Sequence, residues 1–152
     1  MSDCLLPPIK WRRPNPFVDL WCIARQEIDH YRHVNNVAYL SRVESLAWKH
    51  SNHLGLHFAD YQQAGKGMVI RRHELDYLLP AHLGDTLACA TWITGCHKSL
   101  TLTREFQFVC IQRLKTVFSA HTQFVCVSLE SGTPTRMPAT FKEIYGKAVC
   151  CP

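Results

Sequence analysis

The sequence predicts one α+β domain in which a curved antiparallel β-sheet wraps a single long α-helix. Three observations predict it. Apolar residues recur at helical spacing in one long stretch, Asn36 to Leu54; four later stretches read as strands; and the connections between those strands are too short for crossover helices, which requires mostly antiparallel pairing. At 152 residues the chain has room for one domain with a real core and not for two ordinary ones. One helix cannot cover both faces of a five-stranded sheet. The sheet is therefore expected to curl around it and leave its convex side for a partner.

Residues 1–16 carry four prolines and read as an extended arm. Phe17 to Arg25, bulky, apolar and free of glycine and proline, reads as the first strand, with a break from Gln26 to His33. The helix follows. Val37, Leu40, Val43 and Ala47 form its stripe, Tyr39, Leu46 and Trp48 widen it to more than one side, and the helix is expected to be well buried. Asn35 or Asn36 can cap its start and Gly55 can close its end. After a loop with Gly65 and Gly67 come strands at Met68 to Leu79, Leu87 to Thr94, Ser99 to Ile111 and Thr116 to Leu129. In the third of these, Leu100, Leu102, Phe106 and Phe108 alternate with Thr101, Thr103, Glu105 and Gln107, the period of a half-buried strand. The tail, 130–152, reads as a turn and a covering segment.

Apolar residues make up 47% of the chain and charged ones 19%, with no run of eighteen apolar residues, which predicts a soluble protein without a membrane span. Met1 to Lys10 lacks the apolar run of a secretory signal. Eight cysteines lie scattered, with no Cys-x-x-Cys pair, as in a reducing compartment; the expected location is cytoplasmic. A formal charge of +5 favours polyanions, coenzyme A among them. The basic residues do not interleave with aromatics and no nucleic-acid-binding motif occurs, so no nucleic-acid partner is expected.

The chemistry concentrates at Asp29-His-Tyr-Arg-His33-Val-Asn35-Asn36, where an acid, a histidine and two amides crowd into the turn before the helix. A helix N-terminus offers unpaired N–H donors and partial positive charge to an oxyanion forming on a carbonyl. A carboxylate beside it can attack the carbonyl or take a proton from water. Asp29 also suits a plain turn, His33 a structural role, and both asparagines a cap.

The pattern Asp29-x-x-x-His33-Val-Asn35-Asn36-x-x-Tyr39-Leu40 resembles the hot-dog-fold acyl-CoA thioesterases of the 4-hydroxybenzoyl-CoA thioesterase type. Glu74-Leu-Asp-Tyr-Leu-Leu-Pro80, Leu83-Gly-Asp-Thr86, Lys98-Ser-Leu100 and Val125-Cys-Val-Ser-Leu129 extend the resemblance, which covers roughly Phe17 to Phe141. It implies hydrolysis of an acyl-CoA to the free acid and CoA, in homodimers or homotetramers whose sheets join and whose active sites lie between subunits. Asp29 matches the catalytic aspartate, nucleophile or general base; His33 and Asn35 match the polar residues after it. Glu44 is a secondary candidate, because some hot-dog enzymes use a helix glutamate as base. Plant acyl-carrier-protein thioesterases are similar here, with asparagine where this chain has Tyr31. Many relatives carry glycine where this chain has Arg32, so the loop is expected to differ in shape.

Asn36, Arg71, Arg72, Lys98, Ser99 and Arg136 are the candidates for holding substrate, the cations through the CoA phosphates. An apolar pocket between the helix and the partner's sheet is expected to take the acyl group. His30, His33, His50, His53 and His57 have spacings that raise a metal site, but no zinc-hydrolase motif accompanies them, and neither metal nor cofactor is expected. No Gly-x-Ser-x-Gly elbow occurs. Three other functions fit the same residues: a non-catalytic acyl-CoA binding or sensing module, an acyl-carrier-protein thioesterase, and a hot-dog dehydratase or hydratase.

Overall fold

In the computed structural model, which describes residues 5–150, five strands form one antiparallel sheet: β1 (Phe17–Cys22), β2 (Lys66–Tyr77), β3 (Thr86–His97), β4 (Thr101–Cys110) and β5 (Lys115–Ser128). Their order is β1-β3-β4-β5-β2. The helix α1 (Asn36–His53) lies on the concave face, with α2 (Phe58–Ala64) after it and α3 (Ala139–Ala148) near the C-terminus. This is the expected α+β hot-dog architecture. The first four residues of the arm and Cys151-Pro152 lie outside the described residues.

Strand parity builds the core. Phe106, Phe108 and Cys110 of β4, Phe118 and Ala120 of β5, Leu87 and Cys89 of β3 and Trp21 of β1 point to the concave side, where Tyr39, Val43 and Leu46 of α1 meet them. Tyr39 stacks on Phe118 at 4.7 Å and meets Trp21 edge-on at 5.6 Å. Burial pushes its phenol up to about 12. The helix is half-buried rather than enclosed: Val37 is 71% and Trp48 46% exposed. Their positions, off the Tyr39–Val43–Leu46 face, correct the expectation of a helix buried on several sides.

Other boundaries shift for local reasons. The first strand stops at Cys22 because the Glu27 carboxylate accepts the Ala24 N–H at 2.8 Å and the Trp21 indole N–H at 3.1 Å, pulling residues 25–27 into a 3₁₀ turn. Ser99 begins no strand: Lys98 and Ser99, at φ of 52° and 55°, are the two central residues of a tight turn closed by Leu100 N–H to His97 O. Within β3, any side chain at Gly95 would meet His97 and Thr103, at 2.5 and 2.7 Å. The loop before Gly65 contains α2, started where Asp60 Oδ2 accepts the His57 N–H and ended at Gly65, φ 66°.

The covering tail is helical over α3, with Phe141 and Tyr145 buried against Ile93, Leu102 and Cys126. On the convex face the chain covers itself. Arg12 N–H donates to Gln107, Arg13 pairs with Glu105 at 2.8 Å, and the Trp92 indole donates to Pro14 O at 3.0 Å. The arm therefore occupies part of the surface expected to be left for a partner. Among the described residues no helix is long and apolar enough to cross a membrane.

Candidate active site

The loop before α1 is a small hairpin. Asn35 N–H donates to Glu27 O, Ile28 and Val34 form a bridge, and Asp29 N–H donates to His33 O at 2.9 Å. Asp29 Oδ1 turns back to accept the N–H groups of Tyr31 (2.9 Å) and His33 (3.2 Å), leaving Oδ2 without a partner among the described residues. Arg32 takes φ 63°, the left-handed conformation that glycine adopts freely. The arginine takes this conformation at a cost of about 1 kcal/mol relative to glycine.

Asn35 caps α1, its side chain accepting the Val37 N–H at 2.9 Å, and Ala38 N–H donates to Asn35 O. The remaining donor of the first turn is Asn36 N–H, exposed and without an acceptor among the described residues. Three residues span at most about 11 Å. His33 therefore stays within that reach of Asn36, and Asp29 is tied to His33 by its backbone hydrogen bond. The exposed His33 ring lies edge-on to His82 at 5.3 Å, because Val34 N–H is tied to Ala81 O.

A cavity of about 420 Å³ lies further along α1, between α1, α2 and β2. Glu44, Trp48, Phe58, Val69 and Ile70 stand at its open side, and Ser51, Tyr61, Arg104 and Tyr145 are buried at its base. Glu44 faces His73, whose imidazole is held below its ordinary range by burial, partly offset by the Glu44 charge. The cavity does not reach Asn36. Tyr39, Tyr77 and Phe118 pack that end shut, the Tyr39 and Tyr77 rings 5.5 Å apart. Glu44 lies eight residues, about 12 Å, along the helix from Asn36.

The structure thus brings Asp29, His33, Asn35 and Asn36 together and sets Glu44 apart, beside the cavity. It also divides the candidate cations. Lys98, Ser99 and Arg136 gather at the far end of the sheet, where Ser99 O accepts the Met137 N–H and Lys66 Nζ donates to Arg136 O at 2.9 Å. Arg71 sits at the irregularity in β2, and Arg72 pairs with Glu74 at 2.7 Å on the surface. Sequence reading missed the buried set at the cavity base. Its signal was present in parity: Arg104 lies between Leu102 and Phe106 on the inward face of β4. His50 belongs to that set, so it is no surface ligand, and no cluster of three metal-ligating side chains occurs among the described residues.

A family model described as the thioesterase-like superfamily matches residues 23–144. The fold is similar to the DHNA-CoA thioesterase of Staphylococcus aureus, at 15% identity and a TM-score of 0.79, over 87% of this chain and 89% of that one. It is also similar to a hypothetical protein of the same organism solved with CoA, at 13% identity and a TM-score of 0.82, over 94% and 91%. A third similar structure is the 12:0-ACP thioesterase of Umbellularia californica, at 15% identity and 0.80, over 90% of this chain and 55% of that one. No curated protein matches.

Proposed function

This chain belongs to the thioesterase-like superfamily and is a thioester hydrolase, and from that premise we propose that it cleaves an acyl-CoA to the free acid and CoA. The observation that carries the proposal is the Asp29 turn: one carboxylate oxygen is fixed by two loop N–H groups and the other is left free, on a hairpin tied to the start of α1. Asp29 Oδ2 takes a proton from the water whose oxygen bonds to the thioester carbon, or attacks that carbon itself to form a mixed anhydride that water then hydrolyses. The C–S bond breaks, and the CoA thiolate leaves and is protonated. Asn36 N–H is the donor for the carbonyl oxygen as it gains charge, a role whose loss costs typically about 3 kcal/mol. His33 and Asn35 hold this geometry, one as part of the hairpin and one as the cap.

The unpaired edge of β2 supports a homodimer. Val69, Ile70 and Tyr77 are each between 38% and 46% exposed on β2, and a twelve-residue edge that is free among the described residues is a template for pairing. Antiparallel pairing carries the Lys66–Lys98–Arg136 end of one subunit toward the Asn36–Tyr77 end of the other. Those cations are then the proposed contacts for the CoA phosphates, with Arg71 and Arg72 nearer the middle. The structure similar in fold that was solved with CoA supports CoA as the carrier. Cys89, Cys110 and Cys126 are buried free thiols, which fits a reducing, cytoplasmic setting.

A second reading gives the base to Glu44, because the apolar cavity opens beside Glu44 and not beside Asp29. Free-thiol release across an acyl-CoA panel separates the two. Asp29→Asn is expected to lower kcat by about a hundredfold or more, with Glu44→Gln within a few-fold of wild type. Equal rates for wild type and Asp29→Asn remove Asp29 from the chemistry. Tight calorimetric binding without turnover in the wild type would instead make the chain a binding module.

A further inference from the structure

The cavity along α1 ends on a cation that no carboxylate answers. Arg104 is 1% exposed, on the inward face of β4. Its Nη1 donates to His50 Nδ1 and its Nη2 to Ser51 Oγ, each at 2.8 Å. Ser51 Oγ is 3.1 Å from the Tyr145 hydroxyl, which also meets that of Tyr61. Each of these partners is neutral: an imidazole nitrogen that accepts, an alcohol and two phenols. No ion pair among the described residues includes Arg104. A buried guanidinium without a counter-charge is an unfavourable burial that an anion relieves. Glu44, Lys66 and His73 also line the cavity; the rest of its wall is mostly apolar, with Val43, Ala47, Met68, Leu102 and Phe124.

We propose that this cavity takes a hydrocarbon chain whose far end carries a carboxylate, received by Arg104 with the Tyr61 and Tyr145 hydroxyls. The carboxylate has two sources. It is the ω-carboxylate of a dicarboxylyl thioester whose carbonyl lies beside Glu44, which rests on the Glu44 reading above, or that of a free fatty acid entering head-first, which does not. Charge complementarity selects the ligand: an alkyl terminus leaves the guanidinium unanswered, whereas a carboxylate makes charge-assisted bonds to it. Depth selects the length. Glu44 and Ser51 are seven residues apart, about 10 Å along α1, which an extended chain covers in roughly eight bonds.

Calorimetry with decanoate and with 1-decanol tests the site without any turnover. Decanoate is expected to bind the wild-type protein about tenfold more tightly or better, since one charge-assisted bond supplies that factor. Arg104→Met, and separately Tyr61→Phe with Tyr145→Phe, should bring the two ligands to near parity while retaining decanol binding, which also shows that the variants fold. A second arm compares hydrolysis of decanedioyl-CoA and decanoyl-CoA. A preference for decanedioyl-CoA that Arg104→Met abolishes identifies the ω-carboxylate as the ligand. Decanoate selectivity without that preference identifies the free acid. Equal binding of decanoate and decanol with no decanedioyl-CoA preference overturns the proposal, as does selectivity that none of the variants changes. Failure to hydrolyse any acyl-CoA would end the substrate reading above, and the decanoate-to-decanol ratio would still decide this one.

Discussion

Replacing His50 by asparagine converts one buried imidazole into a measurable change in acid stability. Burial, then the Arg104 guanidinium, then His53 push His50 down from 6.5 to about 3. Its folded value is depressed, so between those limits the unfolded chain binds a proton that the folded chain does not. Stability therefore falls as pH falls. The contribution of neutral His50 is complete above about pH 6.5 and is lost progressively toward pH 3. A gap of 3.5 units, 6.5 minus 3, corresponds to about 5 kcal/mol in all, with a slope of about 1.4 kcal/mol per pH unit near pH 5. Asparagine can still accept from Arg104 and does not titrate. It does lose the stacking of His50 on Phe17, whose rings are 5.0 Å apart, and so should cost about 1 kcal/mol at pH 7. Urea unfolding followed by tryptophan fluorescence at pH 7.5, 6, 5 and 4.5 reads both effects. The two stability curves should converge and then cross as pH falls. His73, also lowered by burial, titrates in both proteins and cancels in the difference. Parallel curves would refute the reasoning.

Arg32→Gly should stabilise the hairpin by about 0.5–1 kcal/mol, because the φ of 63° suits glycine; a lower melting temperature would contradict this. Glu27→Ala should destabilise by about 2–3 kcal/mol through the orphaned Trp21 indole and Ala24 N–H groups, with Glu27→Gln recovering much of the loss. Matched denaturant midpoints for wild type and Glu27→Ala would show that the carboxylate is not what bends the chain after β1.

The architecture was legible because it rests on periodicity. Alternation in β4 and the helical stripe of α1 each follow from which side chains must leave water; the first holds from Thr101 to Phe106, beyond which β4 is buried on both faces, and the second holds at Val43 and Ala47. What was not legible depends on side-chain partners that periodicity does not report. The end of β1 is set by a carboxylate five residues downstream of Cys22, and the exposure of Trp48 by which face of α1 the sheet takes. Short helices are hidden for another reason. α2 has seven residues, too few for a periodic signal, and α3 begins behind Pro138 and contains Gly146, both of which read as breakers. At the candidate site, Asp29, His33, Asn35 and Asn36 were legible as one unit because they fall within eight residues of one another. Arg104 and Tyr145 were not, because β4 and α3 meet only after folding.

The distribution of cations makes the dimer testable by complementation. Lys66 and Tyr77 lie at opposite ends of β2, about 35 Å apart at 3.3 Å per residue. Lys66 reaches Arg136 O, while Tyr77 Oη donates to Asn36 O at 3.4 Å. Asp29 and the Lys98–Arg136 group of one chain are thus too far apart to serve one CoA, unless a second chain runs antiparallel along β2. In such a dimer each site combines Asp29 of one subunit with the cations of the other. Asp29→Asn should be inactive, and Lys98→Ala with Arg136→Ala should raise KM by about tenfold. Mixed by co-expression, half the dimers are heterodimers, and each of these holds one intact and one doubly defective site. Recovery of about a quarter of wild-type activity at low substrate is the expected result, from random pairing of two chains in a symmetric dimer. A mixture no more active than the average of its two components would mean that Asp29 and these cations never share a substrate.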